Sequence, residues 1–250
     1  MTGVDVTIPD VVGAVARDSE TRLELWATFL DRINAHKVAE IGVYRGAFAT
    51  HVLASCPAIE TYYMIDPWRH LDDWNKPANR ADRTFERFFE EAMDKTRDYE
   101  RQRVVLRGRT TEVIDQIPDG SLDFAYIDGD HTLRGITVDL CRVHAKVCDG
   151  GWIGGDDFSR SIWQHGPKFE PTLVFPFAVY FAEAAGLRIH ALPHAQFLIE
   201  KRPDAGFEFV DLTGKYRHVD LLGAMTSKRT PSSAHAIASR FRRRLRRAWR

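Results

Sequence analysis

Five short runs rich in β-branched and aromatic residues, separated by stretches of helical periodicity, constrain this chain more than any other feature. They are Val38–Val43, Thr61–Asp66, Arg103–Arg107, Leu122–Asp128 and Gly151–Asp156. Each reads as a short buried strand, and strands alternating with helices predict a doubly wound, mainly parallel α/β sheet. Between the second and third runs, Phe85, Phe88, Phe89, Ala92, Met93 and Thr96 recur at spacings of three and four, with Glu and Arg on the other face. That is the pattern of an amphipathic helix. It belongs to an insertion over residues 69–101, whose first part, Arg69–Arg80, is rich in Asp, Asn, Trp and Pro and reads as a surface loop. After the fifth run, a polar segment, Phe158–Pro171, leads to a helix expected over Phe175–Ala185. Leu187–Leu192 and Ala195–Lys201 then flank Pro193-His194, which predicts a hairpin with a two-residue turn. The expected sheet is therefore closed by an antiparallel C-terminal hairpin. Residues 202–229 give no clear pattern.

With 44% apolar and 28% charged residues over 250 positions, disorder along most of the chain is excluded, as are collagen-like and low-complexity classes. The longest apolar stretches, Val11–Ala16 and Phe175–Ala182, stop at Arg17 and Glu183, far short of the ~20 residues of a membrane helix. The first ten residues carry Asp5 and no basic segment, so no secretory signal is read and a cytoplasmic location is expected. Cys56, Cys141 and Cys148 form neither a C-x-x-C pair nor a zinc spacing and are expected as buried free thiols. The formal net charge of zero conceals an asymmetry. Seven arginines fall within Arg240–Arg250, leaving 28 basic against 35 acidic residues in positions 1–239. One domain is expected over residues 1–229, with Thr230-Pro231-Ser232-Ser233 linking it to a basic tail at 230–250. Arginines interleaved with Phe241, Leu245 and Trp249 suit an anionic membrane or a nucleic acid; a frayed end, or a helix packed against the acidic body of its own chain or of a dimer partner, is the plainer reading.

Three acidic features fall at strand ends, where open α/β sheets bind ligands. Glu40-Ile41-Gly42-Val43-Tyr44-Arg45-Gly46 ends the first strand, and Asp66 ends the second. Glycines there allow close approach to the backbone, and an acid ending the second strand can accept hydrogen bonds from a ribose diol. Tyr44 stands where a dinucleotide fingerprint has its second glycine, which favours a nucleoside without phosphates; a tight turn alone would also account for Gly42 and Gly46. Asp128-Gly129-Asp130-His131 ends the fourth strand and Gly154-Gly155-Asp156-Asp157-Phe158 the fifth. Four carboxylates at one sheet edge repel unless a cation or proton lies among them, and an all-oxygen set suits Mg²⁺ or Mn²⁺ better than zinc. A solvated rim or helix caps would explain Asp156 and Asp157, but not Asp128 and Asp130 beside them.

These residues, with Asp139 and Gly150-Gly151-Trp152-Ile153, resemble class I S-adenosylmethionine-dependent methyltransferases over about residues 36–200. Within that class they are similar to the metal-dependent macrocin-type sugar O-methyltransferases, and the Ile-Asp-Gly-Asp-His and Gly-Gly-Asp-Asp-Phe pair is the specific part. The resemblance implies a Rossmann-like sheet and S-adenosylmethionine as cofactor. Glu40, Gly42, Tyr44 and Gly46 would then line its methionine end, Asp66 and Asp128 would complete the cofactor site, with Asp66 on the ribose, and Arg109 and Thr110 would lie near the adenine. It implies Asp128, Asp156 and Asp157 as ligands of Mg²⁺ or Mn²⁺, Asp130 as general base with His131 competing, and a homodimer. Acceptors in the resembling families are sugar hydroxyls, including mannosides of methylated polysaccharides and glycosylated natural products. A sugar hydroxyl is a poor acid, so a metal and a carboxylate base suit its methylation. Trp68, Trp74 and Trp163 are candidate stacking surfaces or packed aromatics. A catechol-type O-methyltransferase is the alternative enzyme, and a non-catalytic nucleic-acid-binding protein using the tail is the alternative from another class.

Overall fold

The computed structural model describes residues 8–166 and 168–216. Two helices, α1 (Ile8–Asp18) and α2 (Arg22–Arg32), precede β1 (Lys37–Ile41), α3 (Ala47–Ser55), β2 (Thr61–Asp66), α4 (Asp82–Lys95) and β3 (Arg103–Arg107). There follow α5 (Thr110–Val113), β4 (Leu122–Ile127), α6 (Leu133–Lys146), β5 (Val147–Gly155), α7 (Val174–Ala185), β6 (Arg188–Leu192), β7 (Gln196–Glu200) and β8 (Glu208–Asp211). The strand order is β3-β2-β1-β4-β5-β7-β6-β8; the first five are parallel and β7 runs antiparallel to both neighbours. The expected mainly parallel sheet with an antiparallel hairpin is therefore present. Chain direction across the sheet reverses between β1 and β4, and a crevice opens there at the strands' carboxyl ends.

The central strands are apolar on both sides because both faces are covered. On one face Leu25, Trp26, Phe29 and Leu30 of α2 pack with Phe48 and Val52 of α3 against Tyr62, Phe124 and Tyr126. On the other, Ile136, Leu140 and Val143 of α6 join Ala178 and Ala182 of α7 over Ala125, Ile153 and Ile199. The register aligns Ile41 with both Ile65 and Ile127, and Ile127 with Gly155. Gly42, Asp66, Asp128 and Asp156 consequently meet along one edge. Each strand still donates a backbone hydrogen bond across that edge: Gly42 N–H to Ile65 O, Asp128 N–H to Ile41 O and Asp156 N–H to Ile127 O, at 2.8–3.0 Å.

Several expectations are corrected. The first, fourth and fifth strands end one or two residues early, at Ile41, Ile127 and Gly155, so Gly42, Asp128 and Asp156 are the first residues beyond the ladder. β5 begins at Val147 instead, because a register irregularity between Leu122 and Phe124 absorbs residues 148–151. The hairpin turns through three residues, Pro193–Ala195, with His194 and Ala195 both at positive φ. β8 arises from the patternless 202–229 region and pairs parallel with β6. Cys56 is buried as expected, but Cys141 is exposed and Cys148 only half-buried. Among the described residues no helix is long and apolar enough to cross a membrane. The Arg-rich tail and its 229/230 boundary lie outside the described residues.

Candidate active site

The turn after β1 is shaped by close backbone approach. Gly42 has φ +95°, and a Cβ on it would lie 2.2 Å from the carbonyl oxygen of Asp128, so only glycine fits. Tyr44 also adopts a positive φ, and its N–H donates to Asp66 Oδ2 at 2.8 Å while Trp68 N–H donates to Oδ1 at 2.8 Å. Burial pushes the Asp66 carboxyl up, against these backbone hydrogen bonds. Glu40, fully enclosed, accepts from the Tyr62 hydroxyl at 2.8 Å, and burial raises its pKa to about 8. At neutral pH this acid is mostly protonated and becomes a carboxylate only when a cation or donors arrive. Gly46 does not face the crevice. A Cβ there would come within 2.9 Å of Ala92, so its place is the packing of α3 on α4.

Past β3, Arg109 pairs through both terminal nitrogens with Asp73 of the insertion, 3.0 Å for the longer contact. Thr110 Oγ1 donates to Asp139 Oδ1 at 2.5 Å, and burial raises Asp139 to about 7. Past β4, Asp130 is held by two donors on one oxygen, Trp74 Nε1–H and Thr132 N–H, each at 3.0 Å from Oδ1. Its Oδ2 lies 3.9 Å from Arg134. Gly135 makes room for it, since a Cβ there would sit 2.2 Å from the Asp130 carboxyl carbon.

His131 is enclosed between two acids, Nδ1 against Asp157 and Nε2 3.4 Å from Asp128 Oδ1. Burial alone would lower its pKa, but the two carboxylates outweigh it and hold the ring at about 10. A protonated imidazole has no lone pair to receive a proton at neutral pH. Asp157, at φ +57°, is correspondingly lowered by His131 despite its burial. Asp156 is raised to about 6 by burial and by Asp128, with Arg22 opposing. One guanidinium nitrogen of Arg22 contacts both acids, lying 3.0 Å from Asp128 Oδ2 and in closer contact with Asp156 Oδ2.

One cavity of about 660 Å³ runs along this edge. Glu40, Gly42, Tyr44, Asp66, Arg109, Thr110, Asp128, Asp130, His131 and Asp157 all line it; Gly46 and Asp156 do not, and Asp156 stands behind Arg22. The insertion supplies Leu71, Asp73, Trp74 and Lys76 to its wall, and the segment after β5 supplies His165. Trp68 is a packed aromatic, fully buried with its indole donating to Tyr44 O at 2.7 Å. Trp74 remains at the cavity, whereas Trp163 is not on its wall. Lys76 ties the two wall segments together, donating to Glu170 O, Pro171 O and Thr172 Oγ1 at 2.9–3.2 Å.

The sequence reading missed Arg22, Asp73, Lys76 and Gln196. A signal existed for the helix that carries Arg22: Thr21-x-x-Glu24 has the spacing of a capping box, and Thr21 Oγ1 does accept from Glu24 N–H. Nothing in it marked the role of the arginine. Among the described residues no group of three or more His, Cys, Asp or Glu side chains is arranged to hold a metal ion. Asp128, Asp156 and Asp157 are near one another, but their inward oxygens engage Arg22 and His131, and this arrangement does not fit a divalent ion.

Comparison with known proteins places the fold among known ones. Solved structures share the fold at TM-scores above 0.5. An O-methyltransferase from Bacillus cereus in complex with S-adenosylhomocysteine has a TM-score of 0.54 at 15% identity, over 75% of this chain and 86% of that one. The O-methyltransferase TomG from Streptomyces achromogenes, involved in tomaymycin synthesis and bound to S-adenosylmethionine, has 0.53 at 11%, over 80% and 92%. A Staphylococcus aureus protein assigned as a caffeoyl-CoA O-methyltransferase has 0.52 at 15%, over 72% and 82%. No curated protein matches the sequence. Residues 39–158, which span β1 to the end of the acidic edge, match a family described as a methyltransferase domain. Over that span the chain is similar to a methyltransferase domain, and its sheet has the fold that these solved enzymes share.

Proposed function

We propose that the chain transfers a methyl group from S-adenosylmethionine to a hydroxyl oxygen of a sugar or other polyhydroxy acceptor. The observation that carries this reading is one cavity lined by Glu40 and Asp66 together with Asp130. Glu40, protonated and enclosed, is suited to gain its charge when the cofactor's ammonium group arrives. Asp66 keeps lone pairs for a ribose diol beyond the two it gives to Tyr44 and Trp68. The Thr110–Asp139 pair lines the region expected for the adenine.

Methyl transfer is an in-line displacement. A lone pair of the acceptor oxygen forms the new C–O bond, the C–S bond breaks with its electron pair passing to sulfur, and the hydroxyl proton leaves to a base. Asp130 is that base. Trp74 and Thr132 fix its Oδ1, leaving Oδ2 to take the proton, whereas His131 already holds one. The polar groups that line the cavity with Asp130, namely Asp73, Arg109, Arg134 and His165, offer the mixed donors and acceptors that a polyol uses and a flat phenolic ring does not. This favours sugar acceptors over catechols.

The test begins with calorimetric titration of the full chain with S-adenosylhomocysteine, with Mg²⁺ and again with chelator. Saturable one-to-one binding is expected, and failure to bind under both conditions overturns the cofactor assignment. An acceptor screen follows, pairing mannosides and deoxysugars with catechols. Methylation of catechols alone overturns the sugar reading.

A further inference from the structure

We infer that Arg22 is the resident cation of the acidic edge, filling the position between Asp128 and Asp156 where a divalent ion would otherwise be needed. Carboxylates at the ends of adjacent strands repel unless positive charge lies between them. Arg22 supplies a charge that does not titrate in the working range, with one nitrogen on Oδ2 of both acids. The acceptor chemistry plays no part in this inference, which stands whether or not the sugar reading holds.

The contact is built into the fold. An isolated surface ion pair has little value, because two flexible side chains must be ordered to make it. Here the arginine opens α2, and Thr21 caps that helix. One turn later on the same face, Trp26 is fully buried, and its Nε1–H donates to Gln196 Oε1 at 2.7 Å. Gln196 Nε2 in turn donates to Asp156 Oδ1 at 2.6 Å. Helix α2 therefore approaches both oxygens of one carboxylate, directly through Arg22 and indirectly through Trp26 and Gln196. Gly154 sets the fit, because a Cβ there would fall 2.4 Å from the Trp26 ring. Asp156 Oδ1 also accepts from Asp157 N–H at 2.7 Å. A magnesium or manganese ion needs several oxygens at ~2.1 Å in octahedral array. Both oxygens of Asp156 and Oδ2 of Asp128 are already engaged by donors fixed on α2, β7 and the backbone.

The experiment is a Mn²⁺ titration of the full chain followed by electron paramagnetic resonance, with S-adenosylhomocysteine binding measured on the same samples. Wild type is expected to show no saturable Mn²⁺ site below millimolar concentration. Arg22→Ala frees the two carboxylates and is expected to gain at least tenfold in Mn²⁺ affinity, a gain that Asp156→Asn added to it removes. A purely structural arginine would not produce that gain. A micromolar Mn²⁺ site in wild type that Asp156→Asn abolishes overturns the inference, and so does a folded Arg22→Ala protein with no gain. If Arg22→Ala does not fold, Arg22→Gln replaces it, and the wild-type titration alone still decides between a metal site and an internal cation. The metal signal is read without turnover, so a failure of the methyltransferase reading shows separately, as loss of S-adenosylhomocysteine binding.

Discussion

The two halves of the crevice handle buried acid in opposite ways. On the β1–β2 side and at α6, Glu40, Asp66 and Asp139 have only neutral hydrogen-bond partners, and burial pushes all three upward, Glu40 to about 8 and Asp139 to about 7. On the β4–β5 side, Asp128, Asp156 and Asp157 contact Arg22 and His131 directly. Among the described residues the first half holds protonatable acids in no direct ion pair, ready to meet incoming donors or positive charge. The second is compensated before any ligand arrives, and Asp130, beside it but tied to Trp74 and Thr132, is the acid we propose for proton transfer. The same strand-end carboxylate can therefore be a receptor or part of a rigid frame, depending on whether the chain brings it a cation.

The sharpest way to break this division is Asp130→Asn. The amide can still accept from Trp74 and Thr132, so the pocket keeps its shape, but it cannot take a proton. Turnover is expected to fall about 10²- to 10⁴-fold, with S-adenosylhomocysteine affinity unchanged by calorimetry; full activity would transfer the role of base elsewhere. Gly42→Ala tests the seam between the halves, where the glycine approaches the Asp128 carbonyl. Positive φ and the 2.2 Å contact together should cost about 3 kcal/mol or more in urea unfolding. Cofactor affinity should fall with it, and a neutral effect would mean that the seam is not rigid.

Glu40 gives the next effect. Its acid carries a proton in the free protein up to about pH 8, and an ammonium group beside it favours the carboxylate. Binding below pH 8 must then expel that proton. S-adenosylhomocysteine affinity is expected to rise with pH by up to about tenfold per unit between pH 6 and 8 and then level off. Calorimetry in buffers of different ionisation enthalpy should register the released proton. Glu40→Gln should remove both the slope and the proton release; a flat wild-type profile would show that Glu40 does not face charge.

How far the sequence revealed this arrangement follows from which interactions are local. The five parallel strands and the acids at their ends were visible because burial on both faces writes continuous apolar runs, and a strand's end is fixed within a residue or two by where the run stops. The amphipathic α4 was visible through its period. Arg22 was hidden because its partners are 106 and 134 positions away and depend on how α2 lies across the sheet. The same applies to Lys76, whose three acceptors are all about 95 residues distant. Gly42 and Gly46 look alike in sequence, yet only the register of β1 against β4 shows that one borders the crevice and the other packs on α4. Adjacency to Asp130 suggests His131 as a competing base, whereas the carboxylates that favour its protonated form include Asp157, which follows the neighbouring strand β5.

The smallest expected effect, Trp74→Phe, asks whether the insertion shapes the proton-accepting half or merely covers it. Phenylalanine keeps the ring and removes the Nε1–H that donates to Asp130 Oδ1, while Thr132 N–H still holds that oxygen. A hydrogen bond to a charged group is worth about 1.5–3 kcal/mol, and the remaining donor and partial exposure reduce this, so kcat should fall about fivefold with KM little changed. Trp74→Leu separates the second possible use of the ring: if the indole stacks on the acceptor, leucine raises KM while phenylalanine does not. Both variants should leave S-adenosylhomocysteine affinity untouched, because the side-chain hydrogen bond of Trp74 goes to Asp130 and not to Glu40 or Asp66. A fall in cofactor affinity with either would show that the insertion couples the two halves, and the division between a receptive half and a compensated one would then hold only while the wall is in place.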